Sequence, residues 1–148
     1  MAIILILVLG GLLVARFYLR PERDSLTARS LFLAQRPELE TLFFHTASAT
    51  GKPRGLRWKA CDWDAGVEFA REKQTGHLAA LVGVTIQFEA IEGGDMEGLA
   101  AVGNLRNASA VFFYHRGQWH TMGKAVFNLN PDEALTHFAG QYERLTSP

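Results

Sequence analysis

The sequence predicts an α+β fold with an antiparallel meander sheet of about five or six strands. An N-terminal transmembrane helix comes first, two short helices lie between it and the sheet, and a C-terminal helix packs on one sheet face. Three observations predict this order. The chain opens on an apolar run, its middle alternates apolar and polar residues with the period of two that strands have, and helical spacing occurs on both sides of that region.

The opening run contains no polar or charged side chain from Ala2 to Ala15, and it reaches 18 residues if it extends to Leu19. A helix needs roughly 20 residues to cross a bilayer, and the Arg16 side chain is long enough to reach the lipid–water interface. We therefore expect a transmembrane anchor at residues 1–20, which contacts membrane lipid through residues 2–19.

Basic side chains follow this run at Arg16, Arg20 and Arg23, and none precedes it. Under the positive-inside rule this pattern predicts a single-pass membrane protein whose one soluble α+β domain, residues 21–148, lies in the cytoplasm. The alternative is a cleaved secretory signal, which would need a basic region before the apolar run. Cys61 is the single cysteine, so the chain has no internal disulfide framework, and this agrees with the cytoplasm.

Two short helices are predicted before the sheet. The first begins at Pro21, because proline suits the first turn of a helix, and runs to Gln35. The residue before a proline leans away from helical geometry, so Pro37 ends this helix and opens the next one. The second helix ends in a loop at residues 47–53, which are small and polar and include glycine and proline.

Alternating residues predict the first strands at Gly55–Cys61, Val67–Glu72 and Leu78–Ala90. The third of these has an apolar residue at every even position, the clearest strand pattern in the chain. Turns of four residues between the strands would place Trp58 opposite Phe69, and Phe69 opposite Ala80. All three would then share one face, which indicates an antiparallel meander.

Two further strands are predicted at Ala110–His115 and Gln118–Leu129. A tight turn at residues 116–117 joins them and places Tyr114 opposite Trp119, an aromatic pair that fixes register. Residues 96–102, which precede these strands, fit either a short edge strand or a turn of helix.

The last helix is predicted to have Asn130 as its N-cap, Pro131 at its first position and an apolar side that continues to Tyr142. Both faces of the sheet contain apolar residues, since Phe113 falls on the face opposite Phe112. Another element or another chain must therefore pack on one of these faces.

The charges divide along the chain although the net charge is zero. Residues 1–60 contain nine Lys or Arg against four Asp or Glu, a net +5, and residues 61–148 contain six against eleven, a net −5. Zero net charge argues against a nucleic-acid binder. The basic half contains a predicted membrane-proximal surface that would face anionic lipid. Its residues are Lys52, Arg54, Arg57 and Lys59.

No catalytic, metal-binding or cofactor motif occurs, so we expect no metal and no cofactor and regard an enzyme as the weaker alternative. The best polar site is the pair His115 and His120, which the tight turn would bring together on one sheet face. Cys61 is expected to be a structural thiol rather than a nucleophile paired with His45. Trp63 falls in a predicted turn, where an exposed indole would indicate a contact point.

These observations predict a membrane-anchored interaction or scaffold domain without catalytic chemistry, whose partner is another protein or a second copy of the chain. The alternative is a small-molecule-binding or enzymatic domain with a pocket on the sheet face. A deep pocket with converging polar groups would distinguish the second function from the first.

Overall fold

The computed structural model describes residues 2–51 and 53–146, with side chains from residue 24 onward. The chain forms two compact units, Met1–Ala34 and Gln35–Pro148, whereas the sequence predicted the boundary at residue 20. The first unit is helical throughout its described residues. In chain order the elements are α1 (Ala2–Thr50), β1 (Leu56–Trp63), β2 (Glu68–Glu72), β3 (Leu78–Ala90), a 3₁₀ turn (Ala100–Gly103), β4 (Arg106–His115), β5 (Gln118–His120), β6 (Ala125–Phe127), α2 (Pro131–His137) and β7 (Tyr142–Arg144).

A single helix, α1, occupies the region in which the sequence predicted an anchor and two short helices. Pro37 does not end it, and the Thr41 hydroxyl donates to the Pro37 carbonyl at 3.0 Å, as in a continuous helix. In the second unit Leu39, Phe43 and Ala47 are buried at a spacing of four residues. Burial of this stripe offsets the roughly 3 kcal/mol that a proline costs inside a helix. The prediction of two separate short helices is therefore wrong.

Among the residues that the structure describes, no helix combines the length and the apolar character needed to span a bilayer. This finding contradicts the predicted transmembrane anchor at residues 1–20, and with it the single-pass membrane protein and the cytoplasmic placement. The side chains of residues 1–23 lie outside the described set. As a helix, the 14 residues of the uninterrupted run would extend about 21 Å, less than the roughly 30 Å of a bilayer core.

The antiparallel sheet contains seven strands in the described chain, more than the five or six predicted, and β3 and β4 form its centre. β3 is 13 residues long, so β1 and β2 both pair with the same edge of it, end to end. The predicted pair of Phe69 with Ala80 is confirmed. Trp58, however, lies opposite Phe88 rather than Phe69, because the first turn joins two segments of one edge instead of forming a hairpin.

The other edge of β4 pairs with β5 and then with β6. The predicted pair of Tyr114 with Trp119 is confirmed, and the turn between them has the positive φ angles of a type I′ hairpin, 51° at Arg116 and 79° at Gly117. Residues 121–124 leave the ladder, so the continuous strand predicted at residues 118–129 is in fact two short strands.

α2 begins as predicted, with Asn130 as N-cap and Pro131 in the first turn. It ends at His137, and Tyr142 belongs to strand β7, which pairs with β2. The predicted continuation of the helix to Tyr142 is therefore wrong. Gly140 lies in the break, and glycine disfavours a helix interior by about 1 kcal/mol.

The two helices of the second unit cover opposite faces of the sheet. Face A carries the even-numbered residues of β3, and there Phe43 of α1 contacts Phe112 with ring centroids 5.8 Å apart. Face B carries the odd-numbered residues of β3, and there Leu135 of α2 clusters with Ala79 and Leu81. One helix of the second unit therefore packs on each face of the sheet, α1 on face A and α2 on face B.

Candidate functional site

Face B carries a cleft beside α2 with a volume of about 270 Å³. α2 is seven residues long, so it covers only part of this face, and beyond it Met122 is 74% exposed. The cleft therefore occupies the part of face B that no helix of the second unit covers. It is lined by Glu72, His77, Leu78, Ala79, Val111, Phe113, Met122, Lys124 and Tyr142.

Apolar side chains form the floor of the cleft. Ala79 lies opposite Phe113, and directly opposite residues share a face of the sheet. Ala79 is the small residue of the lining, and its neighbour Ala70 lies outside the lining, in the cluster with Leu135 of α2. Half-buried Val111 and Phe113 extend the apolar floor next to Ala79.

The next row across the sheet, here called the polar row, consists of Tyr142, Glu72, His77 and His115. Tyr142 lies opposite Glu72 in the ladder, and the Glu72 backbone N–H donates to the His77 carbonyl at 2.8 Å. His115 Nδ1 lies 3.3 Å from His77 Nε2, within hydrogen-bond distance. Three of these side chains, Tyr142, Glu72 and His77, line the cleft and form its polar wall, and His115 is the hydrogen-bond partner of His77 outside the lining.

Two members of the polar row have altered proton affinities. Partial desolvation, followed by the neighbouring His77, Arg116 and His120, lowers the pKa of His115 below its ordinary value of 6.5. Burial, followed by the charge of Glu72, raises the pKa of Tyr142 above its ordinary value of 10.0. Both shifts favour the neutral form at pH 7. In the wall of the cleft the Tyr142 phenol therefore offers a hydrogen bond rather than a charge, and the neutral His115 imidazole is the hydrogen-bond partner of His77.

Two charged side chains line the cleft, one of each sign. Glu72 is half-buried, and its carboxylate accepts a hydrogen bond from the Thr75 hydroxyl. Lys124 is exposed on the opposite side of the apolar floor. Because the half-buried carboxylate is less screened by water than the exposed ammonium, Glu72 dominates the electrostatics of the interior.

The structure places both histidines of the predicted polar site on face B. His120 lies opposite Phe113 and stacks on its ring at 5.5 Å, while the hydrogen-bond partner of His115 is His77. The sequence reasoning missed His77, because the pairing of β3 with β4 was not predicted. The alternation of Leu78–Ala90 and of Ala110–His115 was the signal that could have revealed it.

The described residues of the predicted basic surface differ in their surroundings. Arg54 and Lys59 are exposed, and Arg57 forms an ion pair with Glu89 at 2.7 Å, which neutralises its charge locally. Lys52 lies outside the described residues. The ladder shifts register between Trp58 and Ala60, so Lys59 occupies a β-bulge.

Cys61 and Trp63 both belong to β1. Burial, followed by Asp62, raises the pKa of the Cys61 thiol to about 12, so the thiol stays protonated at neutral pH and is a poor nucleophile. Trp63 is half-buried against Phe43, with ring centroids 5.4 Å apart, so the idea of an exposed indole in a turn is wrong. The bulge turns Trp63 toward face A.

Within the described part of the chain, no group of three or more His, Cys, Asp or Glu residues has the arrangement of a metal site. No protein-family model, curated protein or solved structure matches the chain.

Proposed function

We propose that this protein binds a small ligand with a flat apolar body in the face B cleft. The observation that carries the proposal is the combination of an apolar floor with a wall of three hydrogen-bonding side chains, Tyr142, Glu72 and His77. Small-molecule sites are typically concave and mostly apolar, with a few polar groups that set orientation. A cavity of about 270 Å³ lies near the lower end of their usual size, so the ligand would be small.

Each part of the cleft has a separate role in this proposal. The apolar floor around Ala79 and Val111 accepts the flat body, and Phe113 offers its ring for edge or offset stacking. The polar wall orients the ligand, because His77, Tyr142 and the Glu72 carboxylate present both donors and acceptors. The expectation of an interaction or scaffold domain stays a prediction, and the cleft favours the alternative function.

A titration of the full chain with indole tests the proposal. Indole is flat and apolar and has one N–H donor. We expect it to shift the backbone amide signals of Ala79 and Phe113 in the NMR spectrum. Met122→Glu, which places a charge on an exposed wall residue, should weaken binding about fivefold, because the charge must be desolvated and the apolar contact is lost.

Leu99→Glu is the matched control, since Leu99 is 50% exposed and lies outside the cleft lining. It should leave indole affinity unchanged. Both variants replace exposed residues, so both should unfold at the same urea concentration as the original chain. An indole affinity of Met122→Glu equal to that of the original chain, or shifts only at amides other than those of Ala79 and Phe113, would contradict binding in the cleft.

A further inference from the structure

A second cavity lies on face A at the opposite end of β3 from the cleft, and its volume is about 420 Å³. It is here called the end pocket. Five segments meet at this pocket: the loop after α1, the start of β1, the end of β3, the start of β4 and the end of β6. Its lining residues are Pro53, Leu56, Phe88, Arg106, Phe127 and Asn128.

The inner wall of the end pocket is aromatic and held in place. Phe88 packs edge-on against Trp58, with ring centroids 5.3 Å apart. The Trp58 indole N–H donates to the Gly51 carbonyl at 2.8 Å, which ties this wall to the end of α1. Phe127 is 42% exposed and offers a second ring on the same face. An apolar body can therefore enter without rearranging the sheet.

Among the described residues of the lining, Arg106 is the one that carries a charge, and none is a carboxylate. In the part of the chain that the structure describes, its guanidinium has no ion pair and no side-chain hydrogen bond. Arg106 lies opposite Ile86 in the ladder, so it stands on face A with the aromatic wall. A guanidinium presents a planar fork of donors that matches a carboxylate.

Asn128 completes the polar side of the end pocket. Its φ is 62°, a left-handed conformation that asparagine tolerates better than most residues. Its backbone N–H is satisfied by the Asn107 carbonyl at 2.8 Å. Its side-chain amide makes no hydrogen bond among the described residues, and it can therefore donate to a ligand oxygen.

We infer that the end pocket binds an anionic amphiphile, a carboxylate attached to an alkyl or aryl body. Arg106 would pair with the carboxylate, Asn128 would donate to it, and the two phenylalanines would contact the body. This site is independent of the face B cleft, because it uses different residues on the opposite face of the sheet. Either site can be present without the other.

Calorimetric titration of the full chain with octanoate, octylammonium and 1-octanol tests this inference. These probes share one apolar body and differ in the charge of the head group. We expect octanoate to bind roughly tenfold or more tightly than octylammonium, the size of effect that a charge-assisted hydrogen bond gives. Arg106→Met keeps the apolar stem of the side chain and removes the charge. It should abolish the preference and leave 1-octanol affinity unchanged.

Arg116→Met is the matched control, since Arg116 is an exposed arginine in the β4–β5 turn at the far end of the sheet. It should keep the full preference for octanoate. Arg106→Lys keeps the positive charge but loses the planar fork of N–H donors, so it should retain part of the preference for octanoate. Equal affinity for octanoate and octylammonium, a preference that survives Arg106→Met, or no measurable binding of octanoate would each overturn the inference.

Discussion

At Gly123 the chain between β5 and β6 passes directly over the backbone of α1. Its φ is 70°, and a Cβ at this position would lie 2.5 Å from the Ala47 nitrogen and 2.7 Å from the Ala47 Cα. Ala47 itself is fully buried. Two small residues, one on each side of the contact, let the sheet and the helix approach at backbone distance, and neither backbone can move aside without disturbing its own hydrogen bonds.

Gly123→Ala should therefore lower the free energy of unfolding by about 2–4 kcal/mol, the combined cost of a left-handed alanine and an overpacked contact. Gly117→Ala is the control, because Gly117 has a φ of 79° but nothing within 4 Å of a Cβ. It should cost only about 1–2 kcal/mol. Urea unfolding followed by tryptophan fluorescence measures both. Equal losses would show that the chain does not approach Ala47 closely.

At the scale of one element, α2 is short and depends on its first turn. The Asn130 side chain accepts from the Glu133 backbone N–H at 2.9 Å, and the Glu133 carboxylate accepts from the Asn130 backbone N–H at 2.9 Å. This reciprocal pair satisfies two N–H groups that a helix start otherwise leaves unpaired. Because α2 covers the floor of face B next to the cleft, its stability also determines the shape of the cleft.

Asn130→Ala should lower the free energy of unfolding by about 1 kcal/mol, the usual cost of losing an N-cap. Asn130→Asp should restore most of it, since a carboxylate also accepts the bond and is favoured at a helix N-terminus. Thr136→Ala is the control on the same helix, where the hydroxyl only donates back to the Asp132 carbonyl. A loss in Thr136→Ala as large as that in Asn130→Ala would contradict the role of the cap.

Elements whose facing and turn chemistry agree could be predicted from the sequence. The alternation over Leu78–Ala90 identified β3 with its boundaries, and the turn at Arg116-Gly117 correctly set Tyr114 opposite Trp119. The cap residues also correctly located the start of α2. In each case the local pattern contains enough information, because register follows from the turn and from the apolar face.

Elements that depend on distant partners could not be predicted. The alternation of residues in β1 does not reveal the bulge at Lys59, although this bulge turns Trp63 toward face A. The helix continues through Pro37 because it packs on the sheet. Local helix propensity does not include the free energy of this packing. The same limit applies to the site: His115 was identified, but His77 is separated from it by 38 residues and meets it only through the β3–β4 register.

At the scale of the whole molecule, the cleft and the end pocket lie at opposite ends of β3 and on opposite faces of the sheet. The cleft lies on the part of face B that the short α2 does not cover, and the end pocket lies beside Trp58, whose indole N–H donates to the Gly51 carbonyl at the end of α1. One antiparallel sheet, covered by one helix on each face, therefore provides two separate cavities with different chemistry.

The pH dependence of stability follows from the polar row of the cleft. His115 has a lowered pKa in the folded protein, so the unfolded chain, in which it titrates near 6.5, binds the proton first as pH falls. Stability should therefore be complete above pH 6.5 and decrease as pH falls through that value toward the folded pKa. Tyr142 acts in the opposite range: its pKa is raised above 10.0, so the unfolded chain loses the proton first and stability should decrease as pH rises past 10.

Urea unfolding between pH 5 and pH 8, followed by fluorescence of the three tryptophans of the second unit, measures the acidic branch. His115→Gln retains a hydrogen-bonding side chain but cannot titrate, so it should flatten the decrease below pH 6.5. His45→Gln is the control, because His45 is exposed on α1, outside the cleft, and it should preserve the full decrease. If His115→Gln and the original chain lose stability in parallel below pH 6.5, His115 is not desolvated in the folded protein.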